Sequence, residues 1–214
     1  TQNSGLHETL RAKGLARVKV AEGEELKQEN RRIKATLGLR EAGTQPVALA
    51  RLIGSTSSSV RRFAYISAGS ADGVRPEMPV VSPMGLVGRV LEAGTHSARV
   101  MLLTDSESMV PVRRAKDDVV AFAEGRADGS LRLRLINLGI NPIKPGDVFV
   151  TSGAGGLFRP HIAVAVADRV TKDGAIALVL SNPAATDYVS IEPVWQPDAV
   201  RMLRVQPGGG KAGE

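Results

Sequence analysis

The chain of 214 residues has no cysteine, and phenylalanine, tryptophan and tyrosine together make up only 3% of it. The lack of cysteine excludes disulfide bonds and cysteine-ligated metal sites. No run of eighteen or more apolar residues is present, so no segment of this sequence has the pattern of a membrane-spanning helix. The three histidines, His7, His96 and His161, share no ligand spacing, so we expect neither a metal ion nor a cofactor.

The charge is positive, with 28 basic against 22 acidic residues and a formal net charge of +6. A basic chain can bind nucleic acid, an anionic lipid surface or an acidic partner. Because the basic residues are spread out and few aromatic rings are available to stack on bases, we expect no nucleic-acid partner. A position next to anionic lipid headgroups or cell-wall polymer fits the charge at least as well as nucleic acid does. The arginine pairs at 31–32, 61–62 and 113–114 are interpreted as solvated or partner-facing.

Residues 5–40 carry a helical pattern. Leu26, Asn30, Ile33 and Leu37 are spaced by four, three and four residues, which places them on one stripe of a helix. An asparagine in such a stripe fixes the register of a parallel dimer, because its amide pairs with its twin. The pattern predicts a coiled-coil helix with these four residues as the dimer seam. A helix lying on the surface of the next domain is the alternative, because the stripe lasts only two heptads.

From residue 46 onward the sequence has the pattern of short strands. Twelve apolar or alternating segments follow one another, joined by turn sequences such as ADG, KPGD and KDG. No helical pattern intervenes, so the sheets are expected to be antiparallel. The predicted fold is therefore mainly β: an N-terminal coiled-coil helix followed by two small antiparallel β-barrels.

The predicted domain boundaries rest on strand counts. Residues 46–77 contain two candidate strands, too few to close a barrel, whereas residues 78–153 contain seven. We therefore predict that a second barrel, 78–153, is inserted into a first barrel made of 46–77 plus 154–196. Tandem barrels with a boundary near 105–115 are the alternative. Residues 197–214, which end in PGGGKAGE, are predicted to be a flexible tail.

The glycine cluster TSGAGGLF, at 151–158, is the most conspicuous local motif. It lacks both the lysine and the following helix of a phosphate-binding loop, and the next element is a strand, which also excludes a dinucleotide fingerprint. The preferred interpretation is a turn between the two barrels in which Gly153, Gly155 and Gly156 take positive φ.

His96, Asp105 and Ser152 occur in the chain order of a chymotrypsin-like triad. Asp105 follows His96 by only nine positions, and Ser152 lacks the acid-serine-glycine surroundings of such a nucleophile. The acidic segment TDSES, at 104–108, is instead predicted to be a turn in which Asp105 or Ser106 bonds its own backbone. We therefore expect no catalytic residues and no enzyme activity.

Two long segments carry a family resemblance. YISAGSADGVRPEMPVVSPMGLVGRVLEAGTHSARVMLLTDSESMVPVRR (65–114), followed by KPGDVFVTSGAGGLFRPHIAVAVADRV (144–170), resembles the MreC family of bacterial rod shape-determining proteins. The preceding ELKQENRRIKATLGL resembles that family's coiled coil. Two positions depart from the family pattern: Glu77 stands where glycine is common, and His161 where lysine or glycine is usual.

The resemblance implies a non-enzymatic scaffold for cell-wall elongation, with a transmembrane helix, a coiled coil and two periplasmic β-barrels. It implies self-association as a dimer or filament, and binding to the penicillin-binding transpeptidase and other membrane proteins of the elongation complex. Because TQNSGLHETL is neither a signal peptide nor a natural start, we expect an anchor or targeting segment to precede this sequence, and the resemblance implies that it is a transmembrane helix in the inner membrane.

We expect the partner to bind a strand edge or an apolar groove on a barrel. Two other interpretations stay open. One is a periplasmic hydrolase that uses Ser152, and the other is a β module that binds a carbohydrate or nucleic-acid polymer through its arginines.

Overall fold

The computed structural model describes residues 13–29, 45–56, 61–126, 128–137 and 139–196, with residues 198 and 200. The chain divides into two compact units, Thr1–Thr44 and Gln45–Glu214.

In the first unit, residues 13–29 form a helix, α1. Its apolar side chains Leu15, Val18, Val20 and Leu26 are exposed, with Leu26 at 66%. The predicted helix is thus confirmed over these residues. Asn30, Ile33 and Leu37 of the predicted seam lie outside the described residues, as does the tail from residue 201 onward, so the coiled-coil dimer and the flexible tail remain predictions.

The described part of the second unit is built from strands, which are, in chain order, β1 (Ala48–Thr56), β2 (Phe63–Ile66), β3 (Pro79–Ser82), β4 (Gly85–Ala93), β5 (Ala98–Leu102), β6 (Met109–Arg114), β7 (Val120–Gly125), β8 (Leu131–Leu135), β9 (Val148–Thr151), β10 (Ala163–Thr171), β11 (Gly174–Val179) and β12 (Tyr188–Ile191). Many alternate as the sequence predicts. In β8, Leu131 and Leu133 are buried while Arg132 is exposed, because successive side chains of a strand point to opposite faces.

The strands close into two six-stranded antiparallel barrels. The first has the order β1-β12-β3-β4-β5-β2 and the second the order β10-β11-β8-β7-β6-β9. The whole second barrel therefore lies between β5 and β12 of the first. This confirms the predicted insertion and excludes the tandem alternative.

The predicted division of strands between the barrels was wrong. Strands β3, β4 and β5, within the segment 78–153, belong to the first barrel, and β10 and β11 belong to the second. The first barrel is closed by β12, which pairs with β1 and with β3, and by β2, which pairs with β5. Strand counts and short loops do not reveal such long-range pairings, because each strand carries the same alternating pattern whichever barrel it enters.

Each barrel encloses its own core of inward-facing aliphatic side chains. Ile66, Val80 and Val100 are fully buried in the first, and Leu131 and Phe149 in the second. Burial of one such side chain stabilises the fold by roughly 1.5–3 kcal/mol. Three residues from β3, β4 and the segment that follows β5 also belong to the core of the second barrel: Val81, Leu86 and Leu103. The two barrels therefore pack against each other through a shared apolar contact.

Candidate interaction surface

Asp105 lies fully buried in the segment that passes from β5 of the first barrel to β6 of the second. Its Oδ2 accepts a hydrogen bond from the backbone N–H of Arg62 at 2.6 Å and another from Nε of Arg61 at 3.1 Å. Its Oδ1 accepts from the backbone N–H of Glu107 at 2.9 Å, so the turn predicted around this carboxylate is confirmed. The side chain fixes the passage between the barrels.

The hydrogen bonds of a catalytic triad are not formed in the described part of the chain. His96 is exposed in the turn between β4 and β5, whereas the Asp105 carboxylate is held by Arg61, Arg62 and Glu107. Ser152 follows β9, and its Oγ accepts from the backbone N–H of Ala154 at 3.2 Å. Among the described residues, no three histidine, aspartate or glutamate side chains are placed to hold a metal ion.

Polar contacts tie the two barrels together. Arg159, between β9 and β10, donates from Nε and Nη2 to the buried carboxylate of Glu192, just after β12, at 2.9 and 3.0 Å. The hydroxyls of Ser82, the last residue of β3, and Ser181, two residues after β11, lie 2.7 Å apart. Paired hydrogen bonds of this kind between arginine and a carboxylate are among the stronger polar contacts in proteins.

The glycine cluster is a turn, but not at the place predicted. Gly153, Gly155 and Gly156 have φ of +84°, +77° and +74°, which an L side chain rarely adopts. The loop connects β9 to β10, so it belongs to the second barrel and is not the passage between barrels. It nevertheless contacts the chain leaving the first barrel, because the carbonyl of Gly156 accepts from the backbone N–H of Gln196 at 2.7 Å.

Arg113 and Arg114 have opposite environments, since neighbours in a strand face opposite ways. Arg113 is paired with the exposed Asp118 at 3.2 Å. The side chain of Arg114 is only 6% exposed, and its Nη1 donates to Asp147 at 2.7 Å while its Nε and Nη2 donate to Asp117. The prediction of a solvated or partner-facing pair is therefore wrong for Arg114.

The charges around Arg114 hold the loops at one end of the second barrel. Burial alone would raise the pKa of Asp147, but hydrogen bonds from Lys116, the backbone of Lys144 and Arg114 outweigh it and hold that pKa well below its usual range. The hydrogen bond to Asp117 is the main cause that raises the pKa of Arg114. Arg114, Asp117 and Asp147 are therefore ionised at neutral pH.

One outer face of the first barrel is apolar. On the adjacent strands β12, β1 and β2, the side chains of Leu49, Ile53, Tyr65 and Tyr188 are 75%, 63%, 40% and 65% exposed. The exposed Arg51 lies among them, with its guanidinium carbon 5.9 Å from the centre of the Tyr188 ring. We call these five residues the β1 face.

Both barrels are closed, so each of the twelve described strands pairs with a neighbour on both sides. The expected strand edge is therefore not available, and an outer face is the surface that can bind a partner. Sequence reasoning missed this face because β1 is apolar on both sides. Arg51 was the residue from which the face could have been predicted, because a charged residue in a strand indicates the side that faces solvent. Leu49 and Ile53, two residues before and after Arg51, lie on that side.

The comparison with known proteins identifies the family. The family model described as "Rod shape-determining protein MreC, barrel core" matches residues 52–205, which is more than half of the chain. The chain belongs to the MreC family. The cell shape-determining protein MreC of Caulobacter vibrioides is 35% identical over 167 residues, which cover 78% of this chain and 48% of that protein. The chain spans about half the length of the curated relatives from Caulobacter, Haemophilus and Escherichia that it matches.

Solved MreC structures share the architecture. MreC of Listeria monocytogenes superposes with a TM-score of 0.68 and 27% identity, covering 91% of this chain and 97% of that one. MreC of Pseudomonas aeruginosa gives a TM-score of 0.61 and 29% identity, covering 67% and 97%. In the described residues of the present chain, no helix has the length and apolar character needed to cross a bilayer.

The two departures from the MreC pattern have a common structural meaning. Glu77 and His161 are the non-glycine residues described with positive φ, at +76° and +70°. A side chain in this region strains the backbone, which is why glycine suits such positions. Glu77 has a compensating contact, because its carboxylate pairs with Arg89 at 2.5 Å.

We predict that His161→Gly stabilises the protein by about 0.5–1 kcal/mol, because the removal of a strained Cβ outweighs the loss of the contacts of this exposed imidazole, among them the one with Arg113. His161→Ala, which keeps the Cβ, is the matched control and should give no such gain. Urea unfolding followed by the fluorescence of the single tryptophan measures both. A His161→Gly variant no more stable than His161→Ala would show that the backbone is not strained there.

Proposed function

We propose that this chain is the barrel-bearing part of a non-enzymatic periplasmic scaffold that maintains rod shape during cell-wall elongation. The observation that carries the proposal is the family match, which runs through both barrels. On this proposal an N-terminal segment anchors the protein to the inner membrane, and the barrels act through their surfaces.

The partner on this proposal is the penicillin-binding transpeptidase of the elongation complex, together with other membrane proteins of that complex. An exposed apolar surface rimmed by polar residues is typical of a protein-binding site, and the β1 face has this character. The contacts between the barrels support the proposal further, because they hold that face in a fixed position on the whole two-barrel unit.

A binding titration tests this part of the proposal. The chain is titrated against the soluble periplasmic part of the elongation transpeptidase from the same bacterium, by calorimetry at moderate salt. We expect saturable binding with a Kd in the micromolar range or tighter. An absence of heat and of co-migration at concentrations well above that range would contradict the transpeptidase as partner.

Self-association through the N-terminal helix is the second part of the proposal. Leu26 is exposed on α1, as a seam residue of an unpaired helix would be. We predict that Ile33→Asp dissociates the dimer, because it would place a carboxylate at a buried position of the seam. Sedimentation equilibrium should then give half the mass of the parent. An equal mass for the two proteins would show that Ile33 is not a seam residue.

A further inference from the structure

The β1 face differs from those outer surfaces of the barrels on which arginines pair with carboxylates of the same chain. On β4 and β5 of the first barrel, Arg89 pairs with Glu77, and Arg99, which lies opposite Tyr65 at the border of the β1 face, pairs with Glu92. The second barrel shows the same arrangement in its own outward pairs, such as Arg134 with Glu124. On the β1 face, by contrast, two aliphatic side chains and two tyrosines surround Arg51, which forms no ion pair with a carboxylate among the described residues.

The register of the strands makes these residues one continuous surface. Arg51 of β1 lies directly opposite Tyr188 of β12, and Gly54 of β1 lies opposite Tyr65 of β2. Leu49 and Ile53 share the outward side of β1 with Arg51. Both tyrosines of the chain therefore flank the same strand. Because Gly54 has no side chain, a ligand can reach the ring of Tyr65 from the side of β1.

The composition of the face indicates the class of its occupant. Tyrosine and arginine are enriched in protein–protein interfaces, whereas lysine and acidic residues are depleted. Residues 45–105 and 180–196, which supply the first barrel, contain no lysine at all. Arg51 stacks on Tyr188 but has no acidic partner in the part of the chain that the structure describes. A carboxylate of another molecule would complete its charge pairing.

Two other occupants fit less well. Pairing the face with itself in a two-fold dimer would bring two copies of Arg51 together with no carboxylate from either face, which is unfavourable. Attachment to an anionic membrane relies on clusters of about four to eight basic residues. The β1 face supplies a single arginine, and the nearby Arg61 and Arg99 are already paired with carboxylates of the chain.

We infer that the β1 face docks a folded protein partner that presents an apolar surface with a carboxylate placed against Arg51. This inference rests on the proposed function, because it takes the partner to be the periplasmic part of the elongation transpeptidase. Leu49 and Ile53 would form the apolar centre of the interface. Tyr188 would hold the guanidinium of Arg51 in position for the carboxylate.

The test repeats the calorimetric titration with two variants in the face and two matched controls. Leu49→Asp places a charge in the apolar centre and should weaken binding at least tenfold. Arg51→Ala should weaken binding about fivefold and reduce its dependence on salt. Leu178→Asp and Arg169→Ala change an exposed leucine and an exposed arginine on strands of the second barrel and should leave the Kd within twofold of the parent.

All four variants alter outward-facing side chains, so thermal unfolding should show melting temperatures close to that of the parent. Leu49→Ser is a milder variant if Leu49→Asp unfolds, and it should still weaken binding severalfold. If the parent binds the transpeptidase and both face variants bind it equally well, the β1 face is not the docking surface. The proposed function would still stand. A parent that does not bind the transpeptidase contradicts that protein as the partner and overturns this inference with it, whereas the role in rod shape is tested separately by cell shape.

Two further measurements identify the other occupants. Sedimentation with vesicles of phosphatidylglycerol, compared with phosphatidylcholine, would reveal membrane binding that Arg51→Ala abolishes. Sedimentation equilibrium of Leu49→Asp would reveal a loss of mass if the face joined two copies of the chain. Either result would overturn a protein partner of the stated chemistry.

Discussion

Gly125→Val is expected to destabilise the protein by about 3 kcal/mol or more, because a side chain at Gly125 has no room. A Cβ built on this residue of β7 would lie 1.9 Å from the carbonyl oxygen of Asp105 and 2.7 Å from that of Leu103. Both oxygens belong to the passage between the barrels, which the buried Asp105 fixes, so neither can retreat without disturbing the junction. Urea unfolding followed by the fluorescence of Trp195 measures the loss.

Gly54→Val is the matched control for this prediction. Gly54 also lies in a strand, but a Cβ built there meets nothing within 4 Å. Its substitution should change the free energy of unfolding by less than about 1 kcal/mol. Equal losses in the two variants would mean that the close approach of β7 to the passage does not stabilise the fold.

Asp147→Ala is expected to lower the free energy of unfolding by about 3 kcal/mol at neutral pH, because it leaves the buried guanidinium of Arg114 with one carboxylate in place of two. It also removes the acceptor of the backbone N–H of Lys144, at 2.9 Å. Asp118→Ala, which breaks an exposed ion pair on the neighbouring turn, should cost at most about 1 kcal/mol. Chemical unfolding of the two variants and the parent measures the difference.

The same network predicts a dependence on pH. The pKa of Asp147 is lower in the folded protein than in the unfolded chain. The ionised carboxylate therefore stabilises the folded state fully at pH values above the pKa of an unfolded aspartate, about 3.9, and this stabilisation is lost as the pH falls below that value. The stability gap between the parent and Asp147→Asn should therefore be constant from pH 7 to about pH 5 and narrow on further acidification. A gap that widened below pH 4 would contradict the lowered pKa.

The sequence allowed the kind of fold to be predicted but not the membership of each barrel. Alternation in segments such as LRLRL shows which residues face inward, because that pattern is local. The pairing of β12 with β1, in which Ala48 lies opposite Ile191, joins residues far apart in the chain, and nothing in either strand specifies its partner. Counting strands could therefore predict two barrels and an insertion, and still assign β3, β4 and β5 to the wrong one.

Single residues show the same limit. Arg114 lies beside Arg113 in a charged pair, and only the arrangement of Asp117 and Asp147 around it makes its burial favourable. Glu77 and His161, in contrast, were visible in the sequence as departures from the family pattern. The structure explains these departures, because both residues have positive φ. The ion pair between Glu77 and Arg89, however, could not be predicted from the sequence.

The measurement that tests the central claim most directly is cell shape after depletion of the full-length protein in the host bacterium. A non-enzymatic scaffold for rod shape predicts that depleted cells become round. Re-expression should restore rods equally well with the parent and with Ser152→Ala, which removes the hydroxyl that a hydrolase would use as its nucleophile. Depleted cells that stay rod-shaped, or a Ser152→Ala protein that is made in normal amounts and fails to restore rods, would contradict the account.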